Sequence, residues 1–551
     1  MKQSYSLSLL LLAIIVSACS STQSPEKINI DAYDFAAAID TAYIRTHLSV
    51  IASDEYEGRD TGSEGIKKAQ KYLSEQYSTI GLTPVGDDST YLQEFELQKS
   101  FLKDYSVSFY ETEGEEKKLK SLSVTNDQTL APVTPVWWAS SSLEAPVEYV
   151  GFGIVNDSVN HTADLDLSGK WAMVSLPPVA EGQSVMASLR PLYGVLIRQA
   201  GAQGILIISE SDEAYDESAA SFQSGLGETL GLELPYLADG ETGSRAGRSI
   251  ANIRPSAAAS VLNMSAEEFK AYQEDILEKP ESFKGESTGT VLSVEPEVGK
   301  GTMLAHNMVA LFEGTDPELK DEVIVLTSHY DHIGIGRADS TGDTLYNGAD
   351  DDGSGTIGLL AAANAMQKAK EAGAEIRRSV LFLHVTAEEK GLLGSRYYSD
   401  YPIFPIEKTV ANLNADMIGR IGDEYQDSLD QDYVYVIGAE IISSQLDSLL
   451  QVGNEKTDNI KLDMRYNDLD HPQQFYRRSD HWNFGRLGVP FAFFFNGTHE
   501  DYHRPGDEIH KIAFPQLAQR ARVMYGTAIE LANWDDRPVV DNQLFIERTQ
   551  E

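Results

Sequence analysis

The chain is nearly without cysteine, holding one residue, Cys19, in 551. No disulfide can form within it, and a zinc–thiolate site is excluded. Bases are scarce as well: 44 Lys and Arg stand against 85 Asp and Glu, a formal net charge of −41. A surface that acidic repels phosphate backbones and argues against nucleic acid as a partner. The apolar run over residues 9–16 is too short to span a bilayer comfortably.

What is present begins at the amino terminus. Lys2, the apolar run and then Val16-Ser17-Ala18-Cys19 read as an export signal. The last four residues resemble the bacterial lipobox, in which cleavage precedes the cysteine and its thiol is lipidated. Ser20 next to it resembles an outer-membrane sorting signal. The expectation is an exported lipoprotein of the cell envelope, outer membrane or periplasm, with residues 1–18 removed and residues 19–34 a tether.

A length of 551 residues exceeds one compact domain, so two folding units are expected. Residues 35 to about 97 read as helical and contain Glu57-Gly58-Arg59-Asp60-Thr61-Gly62-Ser63, a turn feeding a helix. Near Val133 the composition shifts to short β-like runs, including residues 147–154, 171–176 and 205–208. This stretch, to about residue 290, has no cluster of metal-ligand types and reads as an inserted module. From residue 291 the texture is α/β. Strands fit residues 323–326, 379–385, 409–413, 433–437 and 490–495; helices fit 357–370, 442–452 and 516–533. Continuous apolar strands alternating with helices predict a mostly parallel mixed sheet sandwiched by helices. Ligands in such sheets bind beyond the carboxyl ends of the strands.

Five short segments fall in such places: Thr327-Ser328-His329-Tyr330-Asp331-His332, Asp350-Asp351-Asp352 at the mouth of a helix, Glu388-Glu389, Asn414-Ala415-Asp416, and Asp501-Tyr502-His503. Imidazole and carboxylate donors without thiolate suit Zn²⁺, with Co²⁺ or Mn²⁺ as alternatives. Two cations roughly 3.5–4 Å apart need a bridging carboxylate, terminal ligands for each, and a water between them. Two histidines and three carboxylates meet that count, and a further unbound carboxylate is needed as general base. No His-Glu-x-x-His occurs, which removes the thermolysin-like endopeptidases. Gly285-Glu286-Ser287-Thr288-Gly289 fits the serine-hydrolase pattern but lacks the strand-before, helix-after context of a nucleophile elbow.

On these segments, in this order, the chain resembles the bacterial and fungal zinc aminopeptidases related to glutamate carboxypeptidase, glutaminyl cyclase and the transferrin receptor. The resemblance covers most of residues 40 to 540. It implies a zinc-exopeptidase fold in two parts, residues 35–132 and 291–545, around a β-rich protease-associated insertion over 133–290. It implies two zinc ions: one on His329 and Asp416, one on Glu389 and His503, with Asp351 bridging. Glu388 would be the general base, Asp331 would hold the His329 ring, and Tyr502 would hydrogen-bond the developing oxyanion. Ser479-Asp480-His481 matches a segment that lines the pocket. His332, with His47, His161, His306, His384 and His471, is expected to be structural or at the surface. His481, His499 and His510 lie near the site segments and could line it.

The function implied is hydrolysis of the first peptide bond of substrates with a free amino terminus. Arg420, Arg477, Arg478 and Arg504 could hold a substrate carboxylate, which keeps a carboxypeptidase of the same fold open. Glutaminyl cyclase typically works with one zinc, and the intact ligand set argues against it. The same set argues against a non-enzymatic binding protein like the transferrin receptor.

Overall fold

The computed structural model describes residues 30–113, 116–123, 130–137, 142–156, 158–176, 191–224, 229–238 and 249–549. Residues 1–29, with the apolar run, Cys19 and most of the expected tether, lie outside them, and so does Trp138.

One large mixed sheet organises the molecule. Its main strands are β1 (Leu92–Glu113), β2 (Val133–Trp137), β3 (Leu143–Tyr149), β4 (Trp171–Ser175), β5 (Gly204–Ile208), β6 (Thr229–Glu233), β7 (Ser249–Ile253) and β8 (Glu286–Phe312). They continue as β9 (Val323–His329), β10 (Ser379–Val385), β11 (Thr409–Ala415), β12 (Tyr433–Gly438), β13 (Lys461–Asp463) and β14 (Phe491–Phe495). The order is β13-β12-β14-β11-β9-β10-β8-β3-β4-β5-β7-β2. β10, β9, β11 and β14 run parallel as neighbours, so their carboxyl ends emerge on one edge. Every residue of β9 is buried. Val323 and Val325 pack into one cluster and Ile324 and Leu326 into another, which is why its apolar run is unbroken.

The helices of this half are α1 (Thr41–Ile51), α2 (Glu64–Ile80), α3 (Gly353–Ala372), α4 (Leu393–Asp400), α5 (Ser444–Glu455) and α6 (Phe514–Asn533). Helix α3 starts four residues before its expected position. Asp352 caps it by accepting from the Gly355 amide. A Cβ at Gly355 would lie 2.4 Å from the Ala415 carbonyl oxygen, so glycine is what lets the helix start abut the end of β11.

The first stretch differs from its expected helical reading. Helix ends at Ile80, and from Leu92 the chain is strand, because Gln93, Phe95 and Leu97 are buried while Glu94 and Glu96 are exposed. That is a period of two, and it sets the strand. β1 and β8 then form a long antiparallel ribbon, from Met308 opposite Leu92 to Thr290 opposite Glu111. On its other side β8 pairs with β10 at one end and with β3 at the other. The ribbon thus joins the parallel strands to the module of β2–β5 and β7, and β8 passes residue 290 without a break. The module has its own core and carries helices Asp212–Ser224 and Ala266–Glu278 beside its strands. Ser287 lies in the ladder opposite Glu148, with no nucleophile elbow around it.

Candidate metal centre

Four adjacent strands deliver the site. β9 ends on His329, β10 leads into Glu388 and Glu389, β11 into Asp416, and β14 into the loop that carries His503. The Asp350–Asp352 turn enters from the start of α3. Three site positions hold positive φ without being glycine: Ala387 (55°), Met417 (57°) and His503 (56°). Such strain persists only where the surroundings enforce it, and here it clusters beside the donors.

The three aspartates separate by what they touch. Asp350 accepts from Ser354 and from the Gly419 amide, and lies 3.1 Å from His499. Asp352 accepts from the Gly355, Met417 and His329 amides. Asp351 alone turns to the donors: Oδ1 is 3.1 Å from His329 Nε2, and Oδ2 is 3.2 Å from His503 Nε2. Asp416 Oδ1 lies 3.6 Å from His329 Nε2, and Glu389 Oε2 lies 3.2 Å from His503 Nε2. The five expected ligands therefore converge, with Asp351 between the two halves.

The donor chemistry fits a cation. His329 Nδ1 lies 3.0 Å from the Asp331 carbonyl, which fixes the proton there and turns the Nε2 lone pair toward two carboxylates. Asp351 Oδ2 is buried and makes no well-formed hydrogen bond, despite its distance to His503. Burial disfavours charge on His329, but Asp416, Glu388 and Asp351 overcome it and hold the ring well above its usual range. Burial works against His503 too, yet Glu389 and Asp351 bring it up to about 10. Burial, then Glu389, Asp480 and Asp416 acting against His329, pushes Glu388 well above the usual carboxylate range. Two groups of donors lie close enough together that each could hold a metal ion: His329, Asp351 and Asp416, all buried, and His332, Asp351 and the half-buried Glu389.

His332, set aside on sequence, belongs to this cluster, with Nδ1 2.8 Å from Glu389 Oε1. Its partner is 57 residues away, so no local pattern announces it. Asp331 is placed differently from its expected role. Its backbone carbonyl meets the His329 ring, while its carboxylate accepts from Thr61 and from the Glu388 amide and lies 3.9 Å from that ring.

The cavity beside the cluster is lined by Glu388 and Tyr502, with Met417, Phe475, Phe493 and Phe495 supplying an apolar wall and Arg478 at its side. Tyr502 stacks on His503 at 3.9 Å, and burial raises its hydroxyl well above the ordinary value. Ser479-Asp480-His481 lies behind this wall. Ser479 accepts from Asn414, Asp480 is fully buried, and His481 packs against Phe491 and Phe493. His499 is buried on Asp350.

Residues 307–528 match the model of peptidase family M28. A leucine aminopeptidase 1 of Penicillium rubens is 30% identical over 226 residues, 39% of this chain and 54% of that relative. A probable leucine aminopeptidase of Arthroderma benhamiae is 26% identical over 249 residues, 44% of this chain and 62% of that one. The chain thus spans about half the length of the curated relatives it matches. Among solved structures, the aminopeptidase from Aneurinibacillus sp. strain AM-1 shares the fold, with a TM-score of 0.51 at 19% identity, covering 93% of this chain and 98% of that one. Over residues 307–528, the stretch that carries the donor set just described, the chain is similar to peptidase family M28.

Proposed function

We propose that this protein is a zinc aminopeptidase that removes the first residue of peptides with a free amino terminus. The observation that carries the reading is Asp351, one oxygen toward His329 and the other toward His503, with Glu388 on the cavity wall beside it. His329 and Asp416 would hold one zinc ion, Glu389 and His503 a second, with Asp351 shared. Zinc in those positions supplies the positive charge that polarises a scissile carbonyl and acidifies water.

The chain's own groups do the rest. Glu388 lines the cavity unpaired and takes the proton of the attacking water, then returns it to the departing amine. The Tyr502 hydroxyl donates to the carbonyl oxygen as negative charge develops on it. Met417, Phe475, Phe493 and Phe495 exclude water and favour an apolar first side chain. The acidic surroundings favour the substrate's ammonium group.

Of Arg420, Arg477, Arg478 and Arg504, only Arg478 lines the cavity, and it is the feature that favours the second reading, a carboxypeptidase. A peptide panel with each end free or blocked separates the two. Cleavage that needs only a free amino end, lost with chelator and regained with zinc, supports the aminopeptidase. A requirement for the free carboxyl end moves the assignment to carboxypeptidase, and ammonia release from amino-terminal glutamine without hydrolysis moves it to cyclase. Export as a lipid-anchored protein is part of the same proposal and rests on the run ending in Cys19. Cys19→Ser should leave the membrane fraction, and retention there would sink the anchor.

A further inference from the structure

The Glu57–Ser63 stretch stands out in the sequence, yet none of its residues lines the cavity or joins the donor set. Its side chains nevertheless reach three of the segments that carry a donor: those of His329, of the Asp350–Asp352 turn and of Glu388-Glu389. Arg59 is fully buried and donates to four carbonyl oxygens: Ile51, Tyr330, Asn347 and Gly348. Asp60 pairs with Lys390 at 2.7 Å. Thr61, 7% exposed, sits at the centre. Its Oγ1 accepts from the Ala387 amide at 3.0 Å and lies 3.2 Å from both Asp331 Oδ2 and Thr386 Oγ1.

These contacts close a ring. The Asp331 carboxylate can only accept, so the Thr61 hydroxyl proton goes to Oδ2, and the Glu388 amide donates to Oδ1 at 3.2 Å. The Ala387 amide donates to the lone pair left on Thr61. Two successive amides, those of Ala387 and Glu388, are thus tied to Thr61 and Asp331, at the point where Ala387 takes φ 55°. Without those acceptors two buried N–H groups lose their partners and nothing holds the strained turn that aims Glu388.

We propose that Thr61 is a positioning residue for the peptide-bond chemistry, acting through its hydroxyl on the turn that aims Glu388. The inference rests on the aminopeptidase reading for its kinetic part only. Thr61→Val keeps size and shape and removes the hydroxyl; Thr61→Ser keeps the hydroxyl. In the metal-free protein, amide exchange at Ala387 and Glu388 should accelerate about tenfold or more in Thr61→Val. In the zinc-loaded protein kcat should fall about ten- to a hundredfold while KM stays within about twofold. Thr61→Ser should recover both to within about threefold of the parent. Unchanged exchange and kcat in Thr61→Val would overturn the proposal, and so would equal losses in the valine and serine forms, which would assign the effect to packing of the methyl. If Thr61→Val does not fold, Thr61→Ala removes the same hydroxyl without adding a methyl and carries the same test. If the parent cleaves no peptide, the aminopeptidase reading fails, and the exchange measurement alone decides whether Thr61 holds the turn.

Discussion

Glu388 and Glu389 are neighbours of one residue type, and their surroundings differ sharply. Glu389 has His332 at 2.8 Å and His503 at 3.2 Å, and against burial and Asp351 the charge on His503 and the hydrogen bond from His332 hold its carboxyl down at about 2. Glu388 lines the cavity with no basic partner in contact, which leaves its oxygens for a substrate or a water. Glu388→Gln keeps the shape and removes the base. Its kcat should fall about 10²- to 10⁴-fold with zinc content unchanged, read by steady-state kinetics and metal analysis. A Gln form with parental kcat would remove Glu388 from the chemistry. Asp352 shows the contrasting case of an acid whose role is backbone support, since it accepts three amides from three segments. Asp352→Ala should lower unfolding free energy by about 1–3 kcal/mol per amide left without a partner, read by urea titration. Stability within about 0.5 kcal/mol of the parent would show that water replaces those contacts.

Between the elements, one small apolar cluster adds to the ribbon in coupling the two halves. Leu234, which follows β6 in the module, packs with Phe95 and Leu97 of β1, Ala305 of β8, and Ala387. Nearby, Tyr236 donates to Asp400 at 2.9 Å and meets the Tyr401 ring at 5.2 Å. Burial outweighs a single exposed hydrogen bond here. Leu234→Ala should cost about 2–5 kcal/mol, whereas Tyr236→Phe should cost no more than about 1 kcal/mol. Calorimetry of the two variants checks this, and equal shifts in Tm would place the coupling in the Tyr236 contact instead. Such cross-element contacts are what the sequence conceals. β9, β10 and β14 were legible because each carries an apolar run buried on both faces, and α3 because it is a long Ala- and Leu-rich stretch of helix formers ended by Gly373. Asp351 could be chosen from three aspartates only through the matching Gly-Ser-Gly that follows it. The start of β1 was misread because Leu92 to Leu97 is a short two-residue alternation next to a helix. His332 and Thr61 stayed hidden because their partners, Glu389 and Asp331, lie 57 and 270 residues away.

Across the whole molecule the excess of acids over bases, 85 to 44, meets a candidate metal centre built largely from acids, where a bound cation would relieve local repulsion as well as join four strands. Zinc at about a hundred times its dissociation constant should stabilise the fold by about 2.7 kcal/mol per independent site. A Tm that does not move between chelated and zinc-loaded protein would mean that the centre is not a zinc site. Acid should act on the fold through different groups. His384 is buried between Ser328 Oγ, 2.7 Å from Nδ1, and Tyr77 Oη, 2.5 Å from Nε2; burial lowers it to about 3. His481 packs between Phe491 and Phe493, its ring nitrogens make no well-formed hydrogen bond among the described residues, and burial, only partly opposed by the Tyr476 and Phe475 backbone, brings it to about 3 as well. Both rings are neutral in the fold and take a proton near pH 6.5 once unfolded. The unfolded chain therefore binds more protons between about pH 6.5 and 3, and stability must fall as pH falls through that window. Each ring contributes a slope approaching about 1.4 kcal/mol per pH unit. His481→Phe replaces the imidazole with a ring its aromatic neighbours accept and removes one of these protons. Urea unfolding of the metal-free parent and variant at pH 7.5, 6.5, 5.5 and 4.5 should give the variant the shallower acid slope, by about 1.4 kcal/mol per pH unit at the lower end. Parallel slopes would mean that His481 is already protonated in the native state, and the neutral, buried ring could not be the source of acid lability.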